Sequence, residues 1–238
     1  VSALSPPAKA EAPRAHRRRV LRRRQMATGL GFAAGLSCLA GMTDAIGFLV
    51  AGDFVSFMSG NTTRLAVAVG EGFGAQAAHL AFLVIVFVLG NSAGVVFVHL
   101  THRRHALIVG LVAAVLDLAG LLHALDQALV ATLAVVFAMG LVNVAVERVD
   151  GHALGVTYVT GALSRFGRGL GRWLVGAPSG RFWIEIVPWT GMLVGAVLGA
   201  LAVGLLGPSA IFVAAAFAAA LAVISGLIPQ RWRKHYFG

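Results

Sequence analysis

Six long runs of apolar residues dominate the chain, at 27–51, 77–100, 106–125, 128–146, 182–206 and 209–228. As helices rising ~1.5 Å per residue, even the shortest comes close to crossing a ~30 Å hydrocarbon core. Two shorter segments, 54–70 and 154–173, interrupt this pattern. Each carries an arginine and a glycine near its middle, where a lipid-facing span would place Leu or Val. An arginine at mid-membrane costs at least ~2.5 kcal/mol on insertion scales, so neither segment is expected to face lipid. Short connections join the runs and leave no room for a soluble domain after residue 25.

Composition agrees with the pattern. Charged residues make up 12% of the 238 residues, against roughly 25% in soluble domains, and the mean hydropathy is +0.86. The bilayer is therefore the first expected partner. The net charge of +10 would suit nucleic acid, but its placement argues against that partner. Seven arginines and one lysine precede Met26 in a leader rich in Pro and Ala, and Arg231-Trp232-Arg233-Lys234-His235 closes the sequence. Such flanks read as topology signals holding both ends in the cytoplasm of a bacterial inner membrane. The leader, residues 1–25, is expected to be disordered. Cys38 is the single cysteine, which excludes an intrachain disulfide. The eight histidines show no ligand spacing, and no nucleophile–base pair or phosphate loop is visible. No metal, cofactor or enzymatic activity is expected.

The chain also repeats itself. Phe54-Val55-Ser56-Phe57-Met58-Ser59-Gly60-Asn61-Thr62-Thr63-Arg64-Leu65 aligns with Gly155-Val156-Thr157-Tyr158-Val159-Thr160-Gly161-Ala162-Leu163-Ser164-Arg165-Phe166, about 101 positions on. Upstream, Gly41-Met42-Thr43-Asp44 pairs with Gly140-Leu141-Val142-Asn143; downstream, the Gly90 and Gly94 pair matches Gly191 and Gly195. The halves are expected at 26–127 and 128–230, followed by a basic tail at 231–238.

Arginine distribution then sets the topology. If both short segments are re-entrant, the N-terminus, Arg103, Arg104, Arg148, Arg168, Arg172, Arg181 and the C-terminus share one side. The opposite connections, around Asp53, Glu71 and Asp126, hold no Lys or Arg. The positive-inside rule thus favours an all-α membrane protein of six transmembrane helices. Three spans per half make it two inverted three-span repeats, each with a broken or re-entrant short helix.

The candidate site follows from that inversion. Half-helices starting near Thr62 and Thr160-Gly161 would bring two N-termini together at mid-membrane, each offering unpaired N–H donors. The residues expected to gather there are Asp44, Ser59, Gly60, Asn61, Thr62, Thr63 and Arg64 from one half, with Asn143, Thr160, Gly161, Ser164 and Arg165 from the other. Asp44 is expected to be buried within reach of one arginine. Two deep arginines against one carboxylate leave a positive surplus, which suggests a small polar or anionic solute. Asn91 and Ser92 and the Gly191, Gly195, Gly199 ladder read as packing positions, whereas Asp117, inside its span, is open to three readings: a protonatable group, a contact to a partner helix, or a place at the outer interface.

The run Ser59-Gly60-Asn61-Thr62-Thr63-Arg64, with Gly41-Met42-Thr43-Asp44 before it and Tyr158-Val159-Thr160-Gly161 after it, resembles the YoaK-type family of bacterial inner-membrane proteins. Ser59 stands where that family usually has Thr, and Met42-Thr43 replace the more usual Tyr-Val. The resemblance implies fold and location but brings no biochemical function. Two functional expectations therefore stand side by side. One is a transporter or channel with a midplane site. The other is a non-transporting scaffold or partner subunit with a closed polar core. A homo-oligomer is compatible with either.

Overall fold

The computed structural model describes residues 11–101, 105–145, 158–177 and 180–228, all of them helix, turn or irregular connection. The long apolar runs become α1 (Glu11–Ala51), α3 (Gly74–Leu100), α4 (His105–Ala124), α5 (Ala128–Ala145), α7 (Val187–Leu206) and α8 (Ile211–Leu227). Between them lie two short helices, α2 (Met58–Gly70) and α6 (Val159–Leu174). Short 3-10 turns at Phe182–Ile186 and Gly207–Ala210 precede α7 and α8.

Five stretches are long and apolar enough to cross a membrane: Arg23–Ala51, Gly74–Leu100, Ala106–Ala124, Ala128–Ala145 and Phe182–Leu227. The last has 46 residues, which as one helix would measure about 69 Å, more than twice the hydrocarbon core. It is instead two helices, α7 and α8. The break lies at Gly207, whose φ of 56° is left-handed, followed by Pro208.

Small residues set the helix pairs. A Cβ at Gly195 would lie 1.9 Å from the Cys38 carbonyl oxygen, and one at Gly199 would lie 2.5 Å from that of Met42. Gly191 stands likewise against Ala34. The glycine ladder therefore lets α7 lie directly on α1, and the matched order of contacts makes the pair parallel. α3 and α5 form a second parallel pair, with Gly90 against Phe137 and Gly140, and Gly94 against Val144. α4 and α8 run antiparallel, because Gly120 meets Ile211 and Phe212 whereas Gly110 meets Ala222. α1 and α5 are also antiparallel, since Thr43 reaches the Met139 sulfur while Ile46–Ala51 shares a small pocket with Ala131–Val135.

Direction therefore alternates along α1, α3, α4, α5, α7 and α8. The start of α1 and the end of α8 lie at the same end of the bundle. Leu36, Leu39, Leu80, Leu83, Ile108, Leu116 and Met139 fill the interior with almost no exposure. The outer faces of α3, α7 and α8 carry exposed Ile85, Val96, Leu198, Leu201 and Val223. That inside-to-outside uniformity belongs to a bundle solvated by lipid.

Two expectations change. The leader is not wholly unstructured: α1 begins at Glu11, within residues 1–25. Arg and Ala are strong helix formers, and Pro13 falls in the first turn, where its missing N–H costs nothing. The short helices also start earlier than expected. Phe57 and Tyr158 hold the N-cap positions without side-chain caps, so Gly60 and Gly161 lie inside the first turn. Arg103, Arg104, Arg148 and the tail at 231–238 lie outside the described residues.

Candidate functional site

α1 ends where α3 begins, because the two run in opposite directions. The connection at residues 52–73 must therefore leave and return at one end of the bundle. Its depth is fixed by Asp44, buried on α1. The carboxylate accepts bonds from the N–H groups of Val55 at 2.8 Å and Ser56 at 2.7 Å. It also accepts the Ser56 hydroxyl, at 2.5 Å. The carboxyl group satisfies three donors that lipid could not. Asn61, fully buried, donates from Nδ2 to the Phe54 carbonyl at 2.6 Å and ties the first turn of α2 to the same loop. α2 then climbs back to the end it came from.

α6 does the same from the opposite end. Its first turn lies beside Asn143 on α5 and Phe87 to Ser92 on α3. Its last turns lie against Phe182, where a Cβ at Gly169 would come within 2.2 Å of the ring-bearing Cβ. Both short helices close with the same C-terminal hydrogen-bond pair. In α2, Phe73 N–H bonds Ala68 O and Gly72 N–H bonds Val69 O; in α6, Ala177 bonds Arg172 and Gly176 bonds Trp173. Gly72 and Gly176 have φ of 77° and 74°, the left-handed geometry that this cap needs.

The two first turns face one cavity of about 510 Å³. Ser56, Ser59, Asn91, Ser92, Asn143, Tyr158 and Thr160 give it polar atoms, while Phe57, Met58, Phe87 and Val88 give it apolar wall. No charged side chain lines it among the described residues. The volume lies within the usual range for small-ligand sites.

Of the expected site residues, Ser59, Asn143, Thr160 and Gly161 line this cavity. The others do not. Asp44 holds the loop at Val55 and Ser56 and makes no pair with either arginine. Gly60 is pressed against Phe57 and Phe54, and Asn61 is a strut. Thr62 and Thr63 return their hydroxyls to the carbonyls of Met58 and Ser59 in their own helix. Arg64 binds Asp53 at 3.0 Å, and His79 meets the other Asp53 oxygen at 2.6 Å. Arg165 binds Glu185 through Nε at 2.7 Å and, with exposed Ser164 beside it on α6, is not part of the cavity wall. The positive surplus expected at the centre is thus cancelled, because each arginine has its own carboxylate. Asn91, Ser92, Ser56 and Tyr158 were not foreseen as lining. An amide and a hydroxyl side by side within an otherwise apolar helix were the available signal for the first two.

Residues 32–224 match the model of DUF1275, a family of proteins of unknown function. That span takes in every helix just described except the start of α1 and the end of α8. The chain belongs to the DUF1275 family. Its similarity to a curated relative extends further. It is 46% identical over 220 residues to the "UPF0700 transmembrane protein RA0705" of Rhizobium meliloti (strain 1021), covering 92% of this chain and 96% of the relative. No solved structure matches. This DUF1275 chain is a multi-pass membrane protein, in keeping with its apolar helices and with its transmembrane relative.

Proposed function

We propose that this protein is a transporter or channel for a small polar solute, with its site in the cavity between α2 and α6. The observation that carries the reading is that two helix N-termini entering from opposite ends line one space of about 510 Å³, whose wall mixes hydroxyls and amides with apolar side chains. Irregular backbone at membrane depth is tolerated where it lines such a cavity. With Arg64 and Arg165 both paired, the wall offers neutral hydroxyls, amides and helix N-termini. This favours an uncharged polar solute over an anion.

The reading includes two inverted repeats. What supports it is the alignment at an offset of 101 together with crosswise pairing: α1 lies parallel to α7, and α5, the counterpart of α1, lies parallel to α3, the counterpart of α7. Both termini are assigned to the cytoplasm of the inner membrane. Arg168, Arg172 and Arg181 lie at the end where α1 starts, and the opposite connections carry Asp53, Glu71 and Asp126 but no Lys or Arg. Impermeant thiol labelling tests this orientation in a Cys38→Ser background. Glu71→Cys should react from outside and Arg181→Cys should not, and the reverse pattern would overturn the assignment.

The transport reading is tested by uptake of a panel of small polar solutes into proteoliposomes. At least one solute should enter faster than into empty liposomes, and Ser59→Trp or Thr160→Trp should cut that rate at least about tenfold by filling the cavity. Absence of uptake across the panel, or uptake untouched by either substitution, would favour the second reading of a scaffold subunit. That reading is supported by the tight pairing of Asp44, Arg64 and Arg165, which fixes the fold without needing a solute.

A further inference from the structure

A second, charged recess lies at the end of the bundle where α1 starts. Arg165, Arg168 and Arg172 recur along one face of α6 at helical spacing, and Arg181 faces them from the turn before α7. They line a groove of about 320 Å³ with a single carboxylate, Glu185. Glu185 is held by Arg165, and Arg168 and Arg181 have no carboxylate partner among the described residues, so the groove is positively charged. Its depth is marked by Arg181, which contacts the sulfur of Met26 on α1. That residue is near the start of the apolar stretch at Arg23, which puts the groove at the boundary between hydrocarbon and water.

The rim points to what fills it. Trp173 and Trp183 directly follow the lining residues Arg172 and Phe182 in the chain and are more than half exposed, and Trp189 lies in the first turn of α7. Exposed tryptophans gather at the headgroup level of a bilayer, where the ring meets acyl chain and polar layer at once. Guanidinium groups recognise phosphate oxygens through paired N–H donors and bear a charge that burial does not remove.

We propose that this groove binds a phosphate group, supplied by the headgroup of an anionic phospholipid. The cluster of arginines neutralises the phosphate while the tryptophans seat the lipid's glycerol and upper chains. The cavity between α2 and α6 is a separate space, and this inference stands or falls independently of solute transport.

The test is lipid-dependent thermal stability of the purified full chain in detergent, titrated with phosphatidylglycerol, phosphatidylcholine or inorganic phosphate. Phosphatidylglycerol should raise Tm, and Arg168→Gln/Arg181→Gln should move the midpoint of that titration up by about tenfold or more, at roughly 1 kcal/mol per basic group near the surface. Arg17→Gln/Arg18→Gln, the same charge change in the leader, should leave the midpoint within about twofold, so that general attraction is separated from the groove. Should the double variant not fold, Arg168→Gln and Arg181→Gln singly should each shift the midpoint by about threefold to fivefold. An equal rise with inorganic phosphate alone would overturn the lipid as source. An equal rise with phosphatidylcholine, or a phosphatidylglycerol midpoint unchanged in the groove variants, would overturn the site.

Discussion

The segments that lead into α2 and α6 carry matching sequence, but where α1 places an aspartate against the first, the matching position on α5 is an asparagine. Before α2, a buried carboxylate on α1 grips the loop through two backbone N–H groups and a hydroxyl. At the matching position on α5 stands Asn143, which donates to the Met139 carbonyl one turn back and lines the cavity. The arginines differ in the same way. Arg64 meets a carboxylate eleven residues upstream, shared with His79, whereas Arg165 meets one twenty residues downstream. Two matching motifs can thus share an arginine and a glycine while each finds its own counter-charge. The arginine is the constant part of the design, and the carboxylate is supplied wherever the local chain brings one near.

The largest difference is expected from truncating the two matched positions. Asp44→Ala strands two N–H groups and a hydroxyl in a membrane interior. It should cost about 3 kcal/mol or more of stability, seen as a large fall in Tm or loss of folded protein in detergent. Asn143→Ala should cost about 1 kcal/mol, because the polar group removed is uncharged and borders a cavity. Equal losses would erase the contrast between the aspartate and the asparagine.

A smaller difference separates the arginines. Arg165→Met leaves the largely buried Glu185 without its guanidinium and should cost about 2 kcal/mol. Arg64→Met leaves Asp53 with His79 and should cost about 1 kcal/mol. Replacing the whole second pair, Arg165→Met/Glu185→Met, should recover most of the Arg165→Met loss, since an uncompensated charge is the main source of the cost. If the double variant is no more stable than the single one, the pair is not the reason that Arg165 matters.

The helical architecture was legible in the sequence because its signals are strong and local. Long apolar runs mark α1, α3, α4, α5, α7 and α8, and the expected ends of the last five fall within a few residues of the observed ones. Glycine spacing marked close helix contacts, and Gly191, Gly195 and Gly199 meet α1 through backbone. The site was only half legible. Sequence spacing located the two breaks, and Ser59, Thr160 and Gly161 beside them line the cavity. It could not show which side of each helix faces inward, and Thr62, Thr63 and Ser164 turn outward, exposed. Charge pairing was misread for a related reason. Asp44 was matched to an arginine because both lie deep, but its nearest unsatisfied donors are backbone N–H groups of the loop it anchors. Asp53 stands in a connection and Glu185 at the edge of the run 182–206, where water is near, yet both are largely buried against the arginines.

The account rests on α2 and α6 presenting their first turns to the same space from opposite ends. Thiol cross-linking of Ser59→Cys/Thr160→Cys in a Cys38→Ser background measures this directly. A cavity of about 510 Å³ is spanned by a bifunctional reagent with a spacer of about 10 Å. The account predicts an intramolecular cross-link between the peptides carrying positions 59 and 160, identified by mass spectrometry, in membranes as well as in detergent. Efficient single labelling at both cysteines with no cross-link between them would show that the two helix starts do not share a cavity.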